Sequence, residues 1–316
     1  MTVPAEQPYA SSDDLTRFIL DEIFIALKQP PQGVARRVCG PLLKWPARRF
    51  ATLMAEVDRR VALNGIVAAA RWLLTQIVTG IDARCTEHIP RTGPVLIASN
   101  HPGAYDVVAL IAGIGRDDIK IIASGVPFTR SLIATSSHLI YVNPDNLDAP
   151  DRMVAIRAGI RHLQDGGALL IYPSGIVDPD PDIAPGLAES IGTWSSSLDI
   201  FLRRVPRTWM VPAIVSSVLS RRYFNHPLVQ IPKTAWEKRK LAEMIQISRQ
   251  MIANKPIDLT PRLTFGEAAS GEILRDAEGR CLPAIIARAR QTLTEHSLTL
   301  LPSQRSLPAP AGTTPR

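Results

Sequence analysis

Cysteine is almost missing from this chain of 316 residues: Cys39, Cys85 and Cys281 are the only three. So few, and so far apart, they exclude a disulfide framework and a paired zinc knuckle, and a reducing compartment is the natural setting. Aromatic residues make up only 5%. Thinly spread and with no recognisable nucleic-acid module, they offer no stacking platform, so nucleic acid is not expected as a partner. Long apolar runs are also lacking. The nearest candidate, Val61 to Ile81, is broken by Asn64, Arg71, Thr75, Gln76 and Thr79. A mid-helix arginine costs roughly 3 kcal/mol on insertion, so this helix is not expected to span a membrane. The opening MTVPAEQPYASSDD has neither a basic start nor an apolar stretch and does not read as a signal peptide.

What is present describes a folded protein with uneven charge. With 46% apolar residues and a net charge of +7, the chain can bury a real core and disorder is excluded as its main state. Residues 1–84 carry +3, residues 85–200 carry −6 and residues 201–316 carry +10. Basic flanks around an acidic middle point to something anionic met by the flanks. Helical patterns run over Asp13–Lys28, Ala47–Leu63 and Val61–Ile81, the second with arginines beside its apolar stripe. Basic amphipathic helices next to a mostly apolar one suit an interfacial anchor on an anionic membrane surface, or ordinary packing on the domain behind them.

After Ile89 short apolar runs alternate with helical stretches. Val95–Ser99, Ile119–Ala123, Leu139–Val142, Ala168–Tyr172 and Met210–Ser216 read as buried strands. Helices are expected near 104–114, 127–136, 151–164 and 192–204, and later over Ala235–Ala253 and Leu282–His296. This alternation predicts an α/β fold, with a largely parallel central sheet flanked by helices and amphipathic helices at the N-terminus. The expected organisation is a helical, membrane-contacting region over 1–84, a main domain over 85–300 and a disordered Pro- and Ala-rich tail over 301–316.

The sharpest local feature is VLIASNHPGAYDVVALIAGIG, where a strand ends and Asn100-His101-Pro102-Gly103 leads into a helix bearing Asp106. Ligands bind at the carboxyl ends of strands in such sheets. On a regular helix a histidine and an aspartate five apart diverge, but the Pro-Gly turn can fold His101 back so that Asp106 accepts its ring N–H. The free nitrogen can then take a proton from a hydroxyl. From these residues alone, a structural histidine and an aspartate that merely favours a helix N-terminus stand equally open. The loop Asp178-Pro-Asp-Pro-Asp182 has no central glycine, and its prolines hold it extended. It reads as a solvated loop at the site mouth rather than a metal loop, and no metal site is expected.

The wider pattern sets these residues in an order. Asn100-His101 and Asp106 follow one strand, Tyr172-Pro173-Ser174-Gly175 ends a second, and Val211-Pro212-Ala213 sits in a third. With Glu87–Pro94 before them and Leu263–Glu267 after, these blocks resemble the lysophosphatidic-acid (glycerolipid) acyltransferase family over roughly 85–270.

The resemblance implies transfer of a fatty acyl chain from acyl-CoA or acyl-carrier protein to a hydroxyl of a lysolipid, on the cytoplasmic face of a membrane. The acyl thioester is a co-substrate and no cofactor is implied. His101 would be the base and Asp106 its orienting partner. Asn100, Pro102 and Gly103 would shape the substrate turn, and Tyr172, Pro173, Ser174 and Gly175 would line the acceptor side. Oxyanion donors are expected among the backbone N–H groups near Gly103 or Gly175.

Two positions depart from the family pattern. Tyr-Pro-Ser-Gly stands where the family has Phe-Pro-Glu-Gly, and Tyr141-Val142-Asn143-Pro144 lacks an arginine. An anionic head group would need another cation, with Arg130 the first candidate, then Arg203, Arg204, Arg207, Arg221 and Arg222. The alternatives are an inactive lipid-binding protein on the same fold, or a thioesterase or lipid hydrolase. A serine-hydrolase elbow is missing, because Ile171-Tyr172-Pro173 precedes Ser174.

Overall fold

Residues 11–26, 30, 33–142 and 149–298 are described by the computed structural model. The tail expected over 301–316 and the Asn143-Pro144 pair lie outside the described residues. Three helices come first: α1 (Ser12–Ala26), α2 (Val34–Asn64) and α3 (Ile66–Ile77). The sheet region follows with β1 (Asp82–Arg84), β2 (Val95–Ser99), α4 (Ala104–Ile114), β3 (Ile119–Ser124), α5 (Pro127–Ser131), α6 (Ile133–Ser136) and β4 (Leu139–Val142). Next are α7 (Ala149–Gln164), β5 (Ala168–Ile171), α8 (Leu187–Gly192), α9 (Ser197–Arg204) and β6 (Trp209–Ser216). The chain goes on through α10 (Arg221–Phe224), α11 (Ala235–Ala253), β7 (Arg262–Phe265), β8 (Ala269–Ser270), α12 (Gly271–Leu274) and α13 (Leu282–Leu298).

The eight strands form one sheet in the order β1-β7-β6-β2-β5-β3-β4, with β8 beside the start of β6. Pairing is parallel from β6 to β4 and between β1 and β7, and antiparallel where β6 meets β7 and β8. The α/β fold with a largely parallel sheet is thus the one the sequence predicts. Side chains alternate across the strands, and both faces are covered. Val95 and Ile97 of β2 pack with α3 and α4, whereas Leu96 and Ala98 pack with α7, α9 and α13. Burial on both faces explains why these strands read as unbroken apolar runs rather than alternating ones.

The N-terminal region differs from expectation in two ways. The second helix does not start at Ala47; α2 runs for 31 residues through Pro41 and Pro46. Proline is normally helix punctuation, so the sequence pattern stopped at Pro46. Second, α3 packs one face into the body of the protein: Ile66, Val67, Ala70, Leu73, Leu74 and Ile77 are all in the main core. With β1 paired to β7 as well, residues 66–84 are part of the α/β body. Exposed apolar side chains gather instead on Ile25 and on the first turns of α2, at Val34, Val38, Leu42 and Trp45.

The mouth of the sheet is pinned by Asn100, immediately after β2. Its side-chain amide donates to the Val215 carbonyl at 2.9 Å and accepts the Val215 N–H at 2.8 Å, with no solvent exposure. The side chain thus continues the pairing of β2 with β6 past the last backbone contact. Replacing Asn100 by alanine leaves a buried donor and a buried acceptor without partners, at about 1–3 kcal/mol each. Urea unfolding of Asn100→Ala should therefore show a loss of about 3 kcal/mol; a change below about 0.5 kcal/mol, the size expected of an ordinary surface substitution, would refute this role.

Candidate active site

The carboxyl ends of β2, β5 and β6 converge on one short turn. His101 leaves β2 through Pro102 and Gly103, and α4 starts at once. Asp106 lies on the first turn of α4, wholly buried, with three donors around it. His101 Nδ1 is 2.7 Å from Oδ2, the Gly103 N–H donates to the same oxygen at 3.2 Å, and the Tyr172 hydroxyl donates to Oδ1 at 3.0 Å. Asp106 therefore accepts from the N-terminal turn of its helix and holds the imidazole at once, a geometry that fits both readings left open by the sequence. Gly103 lies close to α11: a Cβ there would lie 2.9 Å from Glu243 Oε1 and push that carboxylate aside.

Tyr172, at the end of β5, also lies against the histidine, with ring centroids 4.6 Å apart and planes tilted by 31°. Its hydroxyl faces Asp106, so it supports the His–Asp pair directly. Pro173 is buried and accepts the Ser195 N–H at 3.0 Å. The Ser174 hydroxyl donates to Asp178 Oδ2 at 2.9 Å, and a Cβ on Gly175 would meet nothing within 4 Å. Of the backbone N–H groups expected as oxyanion donors in the helix after Pro102-Gly103 or around Ser174-Gly175, that of Gly103 is held by Asp106 and that of Gly175 by the Tyr172 carbonyl.

The acidic loop is the largest departure from expectation. Asp178 and Asp180 are buried, not solvated. Asp178 clamps His101 from behind: its Oδ2 accepts the His101 N–H at 2.8 Å, and its own N–H donates to the His101 carbonyl at 2.8 Å. Ser190 donates to its other oxygen. Asp180 accepts the N–H groups of Asp182, Ser217 and Val218; burial nevertheless pushes its pKa up to about 6. Asp182 pairs with Arg262 at 3.1 Å and accepts the Ser217 hydroxyl at 2.7 Å. The prolines that suggested an exposed loop instead space successive carboxylates to bind the ends of β2 and β6. Among the described residues no cluster of His, Cys, Asp and Glu is gathered for a metal ion.

The remaining expected residues fall outside this turn or face away from it. Asn100 has both ends of its amide engaged by Val215, leaving none for a substrate. Arg130 donates to the Gly125 carbonyl at 2.9 Å and covers the Tyr141 ring at 4.4 Å. Arg207 donates to the Gln164 carbonyl, at the opposite edge of the sheet, and Arg221 to the Asp182 carbonyl. Arg203 and Arg204 are exposed at the end of α9, and Arg222 is exposed on α10. The sequence missed Asp178 and the α11 residues that reach the turn. The only signal for Asp178 was its place a few residues after Gly175.

Electrostatics at His101 are set by opposed forces. Burial disfavours the charged ring, but the Asp106 carboxylate, its hydrogen bond, and the nearby Glu243 and Asp178 outweigh it, raising the pKa from 6.5 to about 9. Burial and the Asp106 charge hold the Tyr172 phenol well above its ordinary range, so it stays a donor.

The acyltransferase family model matches residues 80–194, the stretch holding His101, Asp106 and Tyr172–Gly175. The matched stretch is the one in which the motifs of the sequence resemble that family. It is similar, at TM-score 0.42 and 14% identity, to the crystal structure of the 1-acyl-sn-glycerophosphate (LPA) acyltransferase PlsC from Thermotoga maritima, over 90% of this chain and 96% of that one. No curated protein matches the sequence.

The His101 ring should titrate near 9 by NMR, and Asp106→Asn should bring that value down, since it removes the main charge favouring the imidazolium. A ring titrating at 6.5 in both proteins would show that Asp106 does not govern it.

Proposed function

We propose that the protein transfers a fatty acyl chain from a thioester, acyl-CoA or acyl-carrier protein, to a hydroxyl of a lysophospholipid or related glycerolipid. The observation that carries this reading is the His101–Asp106 pair on the carboxyl edge of the sheet, within the acyltransferase domain. With Nδ1 held by Asp106, Nε2 is the nitrogen left for substrate, and it has no hydrogen-bond partner among the described residues. Nε2 takes the hydroxyl proton as the oxygen attacks the thioester carbonyl; the C–S bond then breaks and the imidazolium returns the proton to the thiolate. The products are an ester and a free thiol, with no acyl-enzyme. Asp178 and Tyr172 act as positioning residues, one on the His101 backbone and the other on the Asp106 carboxylate.

Only the neutral ring can accept the proton. With a free-enzyme pKa of about 9, the neutral fraction at pH 7 is about 1%. The value of kcat/KM should therefore climb about tenfold per pH unit below 9 and level off above it. Free-thiol release from palmitoyl-CoA with mixed lysophospholipids tests both points. Release should need the lysolipid, follow that pH profile and vanish in His101→Ala. Release without acceptor would establish a thioesterase. Lipid binding with no release across donors and pH values would establish an inactive lipid-binding protein.

A place on the cytoplasmic face of an anionic membrane is part of the proposal. The support is the row Val34, Val38, Leu42 and Trp45 on α2, more than half exposed at each position, with Arg37, Lys44, Arg48 and Arg49 nearby. No helix among the described residues is long and apolar enough to cross a membrane. Val38→Glu with Leu42→Glu should abolish co-sedimentation with vesicles containing phosphatidylglycerol. Binding at the wild-type level would sink the surface reading. Deleting residues 1–84 is not a usable test, because it removes core helix α3.

A further inference from the structure

A cleft of about 120 Å³ opens beside the catalytic turn, between Pro102 and Val177 on one side and the first two turns of α11 on the other. By volume it has room for a few water molecules or one small oxyanion. Trp236, Arg239, Lys240 and Glu243 of α11 line it. Of these only Glu243 enters the chemistry described above, through its charge near His101.

The helix that supplies this wall is held firmly. Positions 239, 243, 246 and 250 follow the i, i+4, i+7, i+11 spacing of one helical face. At the inner end Gln250 donates to the Ile77 carbonyl at 2.6 Å and accepts from the Tyr105 hydroxyl. Gln246 accepts the Ser220 N–H at 2.8 Å and donates to the Val218 carbonyl at 3.1 Å. Glu243 then abuts Gly103, and Arg239 with Lys240 lies about one turn, or roughly 5 Å, further out along the axis.

The two cations are unsatisfied in charge. Arg239 is half-buried, yet its hydrogen bonds go only to carbonyls, those of Val177 at 3.0 Å and Ala235 at 3.3 Å. Lys240 stands 4.8 Å from the centre of the Trp236 ring. Neither forms an ion pair among the described residues; Asp178 and Glu22 act on them only at longer range. A half-buried guanidinium with carbonyl partners but no carboxylate is poised for an incoming anion.

Building on the acyl-transfer reading, we infer that this cleft is the subsite for an anionic, phosphate-like group of the acyl acceptor, held by Arg239 and Lys240. These residues take the place of the arginine and glutamate missing from the two acceptor blocks. An acceptor phosphate lies a few bonds from the hydroxyl that must reach His101, which matches one helical turn. The phosphates of a CoA thioester lie at the far end of the pantetheine arm, too remote for a cleft that touches Pro102.

Calorimetric binding keeps the test independent of turnover. The probes are a short-chain lysophosphatidate below its micelle-forming concentration, the monoacylglycerol without the phosphate, and CoA. Wild type should prefer the lysophosphatidate by about tenfold or more, the scale of a charge-assisted hydrogen bond. The Arg239→Gln/Lys240→Gln variant should lose that preference, and Arg239→Lys alone should keep most of it with an unaltered melting temperature.

A preference that survives the double substitution, or no preference in wild type, overturns the subsite. CoA affinity falling in place of lysophosphatidate affinity assigns the anion to the donor and overturns it too. Preferential binding by a protein that never releases thiol would refute the transferase reading alone, whereas transfer without the preference would refute the subsite alone.

Discussion

A carboxylate with no solvent exposure holds the site together. Asp106 would be costly to bury as an anion without partners, and its three donors come from two pieces of chain: the His101 ring and Gly103 backbone of one turn, and the Tyr172 hydroxyl. Satisfying one charge therefore joins the turn after β2, the start of α4 and the end of β5. The same charge lifts the His101 pKa, so the interaction that assembles the turn also sets its proton affinity. Asp178 repeats the device from the other side, tying the His101 backbone to the loop after β5. An imidazole held through both its ring and its main chain has little freedom left to lose on binding a ligand.

Much of the fold was legible because its strands are buried on both faces. Runs such as Val95–Ser99 and Met210–Ser216 are apolar up to a closing serine, and the structure places their strands within a residue of the sequence reading. Helices with strong caps were equally clear; α11 spans Ala235–Ala253 as expected, opened by the Thr234–Glu237 capping box. Misreadings arose where a local rule met a tertiary contact. Pro46 ended a pattern that α2 carries straight on, with Ala47 and Ala51 packed under α1. Prolines in the acidic loop suggested solvent, but the N–H groups at the end of β6 needed acceptors, and Asp180 supplies them.

The candidate site divides in the same way. His101 and Asp106 are five residues apart, so their pairing could be considered from sequence. Glu243 is more than a hundred residues from Gly103, and only the packing of α11 brings them together. A polar helix of ordinary composition carries no mark of which turn will face His101. Asn100 is the converse case: adjacent to His101 and polar, it invited a substrate role, yet its amide is used wholly by Val215. Proximity in sequence was a good guide to chemistry only where the side chain was not needed to complete the sheet.

The uneven charge of the chain acquires a physical meaning from this arrangement. The acidic middle segment supplies the carboxylates that are buried beneath the site, where Asp106, Asp178 and Asp180 meet backbone and hydroxyl donors. Those charges face inward, and the fields of Asp106 and Asp178 favour the positive charge of His101, that of Asp178 also the charge of Arg239. The cations come from the flanks: Arg239 and Lys240 on α11 line the cleft, and the arginines of α2 lie beside its exposed apolar row. A negative segment thus surrounds His101 with carboxylates, and the positive segments on either side of it in sequence carry the cations of the α11 cleft and of the exposed α2 row. Net charge per segment, which says nothing about fold, here separates the part of the chain that holds the imidazole from the parts that carry the exposed cations.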